Sequence, residues 1–244
     1  MPRQFIAGGE AANVGVVNVA IPSWLYRRDA AVRLLKVEGF GFLIPRSVED
    51  NKAGILGIVF DSDSLPTQDL QGVAVEGSAT APTKLTVMMG GAHWQDRKAP
   101  DELPSIAEME ENAKQAITRM LEVPREYLDA EETVVEATLQ KDCIPWYTVG
   151  HPVRMARLHQ AIVGTLPGAA QGGIRDAAAV QWKGKLTLVG ASYTGVSVND
   201  CVTRARDTVL QVVEEEKQHD HASGGKIDKK TTGLELVALQ CGLL

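Results

Sequence analysis

The sequence predicts a mixed α and β fold, and three observations predict it. Short apolar, β-branched runs are punctuated by Pro22, Pro45, Pro66 and Pro82, the rhythm of buried strands between turns. Ser105 and Glu108 form an S-x-x-E capping box ahead of an apolar stripe at helical spacing. Leu186 to Val202, LTLVGASYTGVSVNDCV, reads as an apolar strand that breaks at Gly190 into a small-residue loop and re-enters a helix.

Taken in order, Val14 to Ile21, Ile55 to Asp61, Leu85 to Met89 and Val134 to Leu139 read as strands, the last by the alternation of Val135, Ala137 and Leu139. Ile106, Met109, Ala113, Ile117 and Met120 trace one face of a helix that ends before Pro124. A second helix follows Pro152, with Met155, Leu158 and Ile162 on one side. Gly168 to Gly173, GAAQGG, reads as loop. Leu186 to Val189 is short, β-rich and bounded by Lys185 and Gly190, as a buried strand should be. From Val198 onward, Val202, Ala205, Val209 and Val212 recur at helical spacing. After Gln218 the chain turns polar and glycine-rich, HDHASGGKIDKKTTG, which predicts a polar, solvated or disordered tail over 218–244, although its last residues, LELVALQCGLL, are apolar again.

Composition narrows the function classes. A chain of 244 residues with 44% apolar and 23% charged residues can bury a sizeable core. Its net charge of −6 leaves no broad basic field for nucleic acid. Cys143, Cys201 and Cys241 lie far apart with no CxxC, so neither a zinc site nor a disulfide framework is suggested, and a reducing compartment is preferred. No apolar run approaches the ~20 residues of a membrane span. The opening residues carry no secretory or arginine-rich targeting pattern.

The loop after Gly190 is the chemically suggestive segment. Gly190, Ala191, Ser192 and Gly195 leave little bulk, so backbone amides can approach a ligand closely. The helix that follows starts with an N-terminus that favours anions such as a pyrophosphate. Strand, glycine turn and helix is also a common packing unit, and the pattern alone fits both readings. Asn199 and Asp200 read as helix capping. His219 and His221 read as solvated residues rather than metal ligands, and His93 and His151 lack a partnered carboxylate at telling spacing. No GxGxxG dinucleotide turn occurs; Gly8, Gly9 and Gly15 have the wrong spacing.

Five ordered segments carry a resemblance. Gly39 to Arg46 reads GFGFLIPR, Gly54 to Ser62 GILGIVFDS, Leu85 to Gly91 LTVMMGG, Cys143 to Gly150 CIPWYTVG, and Val189 to Val202 VGASYTGVSVNDCV. From about Val14 to about Val213 they resemble the C-terminal half of the protoporphyrinogen oxidase family, the oxygen-dependent flavoenzymes of haem synthesis. The resemblance implies FAD-dependent oxidation of protoporphyrinogen IX to protoporphyrin IX, with molecular oxygen as acceptor and hydrogen peroxide as product. The flavin does the redox step, so no catalytic side chain and no metal is expected.

By the same resemblance, residues 1–150 are a partial substrate-binding domain. Residues 151–217 are the C-terminal part of an FAD domain of the two-dinucleotide-binding type, whose GxGxxG half is missing. The expected strand at Leu186 would then leave a bare apolar edge, prone to aggregation. Phe40, Gly41, Leu43, Val59 and Met88 map to the walls of the porphyrin slot, with the glycine keeping backbone near the macrocycle. Ala191, Val196, Ser197 and Val198 map to the FAD contact. The substrate arginine of the family has no counterpart here, and neither Arg46 nor Arg97 is assigned to it. Eukaryotic members associate peripherally with the mitochondrial inner membrane, and a homodimer is consistent with the family. The chain is expected to be part of a longer enzyme and inactive alone. The alternatives are a non-catalytic porphyrin-binding remnant and another flavin amine oxidase relative, such as a phytoene desaturase or monoamine oxidase. GFGFLIP together with CIPWYTVGH argues against the last.

Overall fold

The computed structural model describes residues 10–26, 33–65, 81–95, 102–163, 186–221 and 233–234. Strands β1 (Glu10–Ile21), β2 (Gly41–Leu43), β3 (Ile55–Val59), β4 (Thr83–Gly90) and β5 (Val134–Trp146) form a five-stranded sheet in the order β2-β3-β4-β1-β5. The β2–β3, β3–β4 and β1–β4 pairs are antiparallel. Helices are α1 (Asp61–Ser64), α2 (Ile106–Leu121), α3 (Arg125–Leu128), α4 (His151–Val163) and α5 (Val198–His221). The chain divides into two compact units, one of them Ala12–Cys143, with the change of unit at Ile144.

In the first unit, pleating sends alternate residues of each strand to one face. Val17, Val19 and Ile21 of β1 and Leu85, Val87 and Met89 of β4 are buried there. Helix α2 covers this face with Met109, Ala113, Ala116, Ile117 and Leu121, the i, i+4, i+8 stripe and its neighbours. Gly15 makes the approach possible, since a Cβ there would lie 2.6 Å from Met109 Sδ. Each fully buried aliphatic of this core contributes about 1.5–3 kcal/mol. Asn51, buried in the turn ahead of β3, gives its amide to the Ile55 carbonyl and takes the Ile55 N–H, both at 2.8 Å, so its polar atoms are satisfied.

Helix α2 begins as the sequence predicts. Ser105 Oγ accepts from Glu108 N at 3.2 Å, and the Glu108 carboxylate accepts from Ser105 N at 2.7 Å. It ends at Glu122, whose left-handed φ of 56° stops the helix before Pro124. Arg125 of α3 then grips Glu111 of α2 with two hydrogen bonds, at 2.9 and 2.6 Å, and Asp129 with a third at 2.7 Å. Those bonds hold the Glu111 and Asp129 carboxyls at about 2, well below their ordinary values, with Lys114 adding to the effect on Asp129.

In the second unit, Met155, Leu158 and Ile162 form the buried stripe of α4, as their spacing predicts, and Leu188 and Leu234 close over it. Two expectations are corrected here. Leu186 to Val189 is not a strand, and Leu188 packs against Met155, Leu158 and Ile162 of α4. Disorder is also not what the start of the 218–244 tail shows, because α5 runs through His221; Leu234, in the apolar closing residues, is fully buried. Strand β5 continues to Trp146, well past the predicted Leu139. GAAQGG, Gly8, Gly9, Arg97 and Cys241 lie outside the described residues.

Two outcomes follow from α2. Ser105→Ala, which removes the acceptor of the capping box, lowers unfolding free energy in urea by about 0.5–2 kcal/mol, whereas Ser105→Gly costs only a few tenths. Glu111 and Asp129 have depressed folded pKa values, so their contribution is present above about pH 4.5 and is lost as pH falls toward about 2. Arg125→Ala flattens the fall of melting temperature across that window, and at about 1 M salt the two proteins converge because these charges are exposed. An unchanged acid limb in the variant would show that the ion pairs do not form.

Candidate functional site

The pleat that commits one sheet face to α2 leaves the other to the opposite set of side chains. In β4 these are Lys84, Thr86 and Met88, each only partly buried. Antiparallel partners lie on the same face, so the register carries that face across the sheet. Met88 stands opposite Val16 and Gly57; Thr86 stands opposite Asn18 and Val59. Val59 in turn faces Gly41, and Gly57 faces Leu43. Gly41, Leu43, Val59 and Met88, predicted from three separate segments, thus come together on the face that α2 does not cover. Leu43 is 77% exposed.

Phe40 is not brought into that register. It lies one residue ahead of β2, its carbonyl accepting from Phe60 N at 2.9 Å and Ser64 Oγ at 3.2 Å, and the residue is 73% exposed. Gly41 is glycine for a reason internal to the sheet. At its φ of +139° a Cβ would collide with the Ile58 carbonyl oxygen across the β2–β3 pair.

The same face holds a polar cluster that the sequence reading missed. Thr86 Oγ1 is 2.8 Å from Asp61 Oδ2 and 3.0 Å from the amide oxygen of Asn18. These residues, with Ala20, Lys84 and Glu136, line a groove of about 340 Å³. The one signal for it in the sequence is parity: Val16, Asn18 and Ala20 alternate with the core residues Val17, Val19 and Ile21.

In the second unit, the loop after Gly190 is built as a turn onto a helix. Tyr193 N donates to Gly190 O at 3.0 Å, and His151 Nε2 lies 3.0 Å from Tyr193 O. The Tyr147 hydroxyl donates to the carbonyl of Ala191, and its ring stacks on His151 at 4.1 Å with 3° between planes. Burial pushes the Tyr147 phenol up, and Cys201 and Asp200 add to the shift. His151, unassigned from sequence, is therefore a brace of this turn.

Ser197 caps α5. Its Oγ accepts from Asp200 N at 3.0 Å, and the Asp200 carboxylate accepts from Ser197 N at 3.3 Å. Gly195, at φ +74°, leaves the room that the Asp200 side chain fills. Val196 and Val198 stay accessible, Val198 at 78% exposure. The first-turn amides of Val198 and Asn199 have no intrahelical acceptor. The Asp200 carboxylate already meets the positive end of the helix, which disfavours a second anion there and suits a neutral carbonyl edge. Among the described residues, no helix is long and apolar enough to cross a membrane.

No family model matches the chain. It is 33% identical over 183 residues to human protoporphyrinogen oxidase, covering 73% of this chain and 31% of that protein. To the protoporphyrinogen oxidase of Schizosaccharomyces pombe it is 32% identical over 202 residues, 82% of this chain and 32% of the relative. To that of Bos taurus it is 34% identical over 205 residues, 83% and 35%. A crystal structure from Exiguobacterium sp. 255-15, provisionally assigned as a protoporphyrinogen oxidase, shares the fold with a TM-score of 0.50 and 17% identity, covering 86% of this chain and 36% of that one. The chain is thus a homologue of the protoporphyrinogen oxidases over most of its own length, and it spans about a third of theirs.

Proposed function

We propose that this chain forms the substrate-facing sheet and part of the flavin site of an FAD-dependent, oxygen-using oxidase of protoporphyrinogen IX. One observation carries the reading: Gly41 and Leu43 of β2, Val59 of β3 and Met88 of β4 come from three strands, and their registers put them on one sheet face, the one free of α2. An apolar face of this kind suits a flat, hydrophobic macrocycle, which needs walls more than it needs an acid or base. Bound FAD would accept the substrate's hydrogens and pass electrons to oxygen. Toward FAD, the chain offers Ala191, Val196, Ser197 and Val198. With Ser197 Oγ engaged in the cap and Asp200 at the helix end, the amides of Val198 and Asn199 suit the carbonyl edge of the flavin ring better than its pyrophosphate. Association with the mitochondrial inner membrane belongs to the same proposal and rests on the eukaryotic relatives.

Two measurements test this reading. The 244-residue chain, which holds no GxGxxG turn, leaves gel filtration without stoichiometric flavin absorbance; a yellow protein would contradict the assignment of the pyrophosphate contact elsewhere. Val59→Asp puts a carboxylate against the macrocycle and weakens binding of protoporphyrin IX to the chain by about 1–3 kcal/mol, with the melting temperature retained. Unchanged affinity would remove Val59 from the site.

A further inference from the structure

The polar cluster on the free sheet face is not explained by apolar walls. Thr86 stands directly opposite Val59 on one side and Asn18 on the other, so the cluster adjoins the face proposed for the macrocycle. A threonine hydroxyl carries one proton, and the charged Asp61 carboxylate is its stronger acceptor. That bond engages Oδ2 at 2.8 Å, while Asp61 Oδ1 has no hydrogen-bond partner among the described residues. The carboxylate is fixed from below as well, because α1 is tied to β4 by Ser62 Oγ, which accepts from Lys84 N at 2.7 Å and donates to Pro82 O at 3.1 Å. A positioned, partly buried acceptor in a groove of about 340 Å³ calls for a ligand that donates.

We propose that Asp61, oriented by Thr86, is a specificity-determining residue that accepts pyrrole N–H groups of the reduced macrocycle and discriminates it from the oxidised product. This rests on the substrate reading above. In a porphyrinogen the bridging carbons are saturated, so the pyrroles pivot and can turn their N–H groups toward one face and one acceptor. In the porphyrin, conjugation flattens the ring and points the remaining N–H groups at its centre, out of reach of a carboxylate on the face. Both macrocycles carry the same propionates and the same apolar edge, so Leu43, Val59 and Met88 meet them alike. Selectivity for the reduced form then comes from Asp61, and oxidation itself loosens the product.

The test is anaerobic equilibrium dialysis of the 244-residue chain against protoporphyrinogen IX, and separately against protoporphyrin IX. Each compartment is oxidised before porphyrin fluorescence is read. Asp61→Asn keeps the shape and an acceptor for Thr86 but removes the charge. The expected result is a loss of roughly tenfold or more in affinity for protoporphyrinogen, with protoporphyrin binding unchanged. Thr86→Val, which frees the carboxylate from its orienting bond, gives a smaller loss of the same selectivity and covers the case in which Asp61→Asn fails to fold. If both macrocycles bind the wild type and the variants weaken them equally, or not at all, Asp61 does not read the N–H groups and the inference falls while the sheet-face reading stands. If the wild type binds neither macrocycle, the sheet-face reading falls and takes this inference with it.

Discussion

The structure of the first unit depends on one-sided burial of its sheet. Helix α2 can lie on β1 and β4 only because Gly15 leaves room for Met109, and that contact commits Val17, Val19, Leu85, Val87 and Met89 to the interior. A strand has a side-chain period of two, so the same commitment decides what every other residue faces. A slip of one residue in β4 would move Met88 and Thr86 into the core and expel Val87. The free face is therefore as strongly specified as the core, although it contributes little to the core's energy.

That free face combines apolar and polar elements. Gly41, Leu43, Val59 and Met88 give a surface with little to hydrogen-bond, and next to it Asn18, Thr86 and Asp61 form a connected polar cluster. A core would not tolerate a charged carboxylate with a spare oxygen, because the desolvation would go uncompensated. On a face that meets a ligand, the same group can distinguish donors from non-donors.

The second unit uses its polar groups differently. Ser197 and Asp200 satisfy the start of α5, and Tyr147 and His151 hold the preceding turn through two backbone carbonyls. Backbone geometry is thereby fixed by side chains that need not touch a ligand. The loop ahead of α5 is built from small residues, and the Asp200 carboxylate stands at the positive end of that helix.

Local chemistry was legible in the sequence because it is written over short spans. The capping box at Ser105 and Glu108, the stripes of α2 and α4, and four of the strands needed only periodicity and turn residues to be read. The ordered segments from GFGFLIPR to VGASYTGVSVNDCV also carried the resemblance to protoporphyrinogen oxidases that the relatives bear out. Leu186 to Val189 was misread because an apolar β-branched run looks the same whether its backbone finds a ladder or its side chains find a helix. Only the tertiary structure decided that Leu188 packs on α4, that Leu234 is buried in the same cluster, and that Asp61, Thr86 and Asn18 meet. Asn18, Asp61 and Thr86 are far apart in the chain, and the register that sets Thr86 opposite Asn18 on the free face follows from which face α2 covers, a choice no local pattern contains.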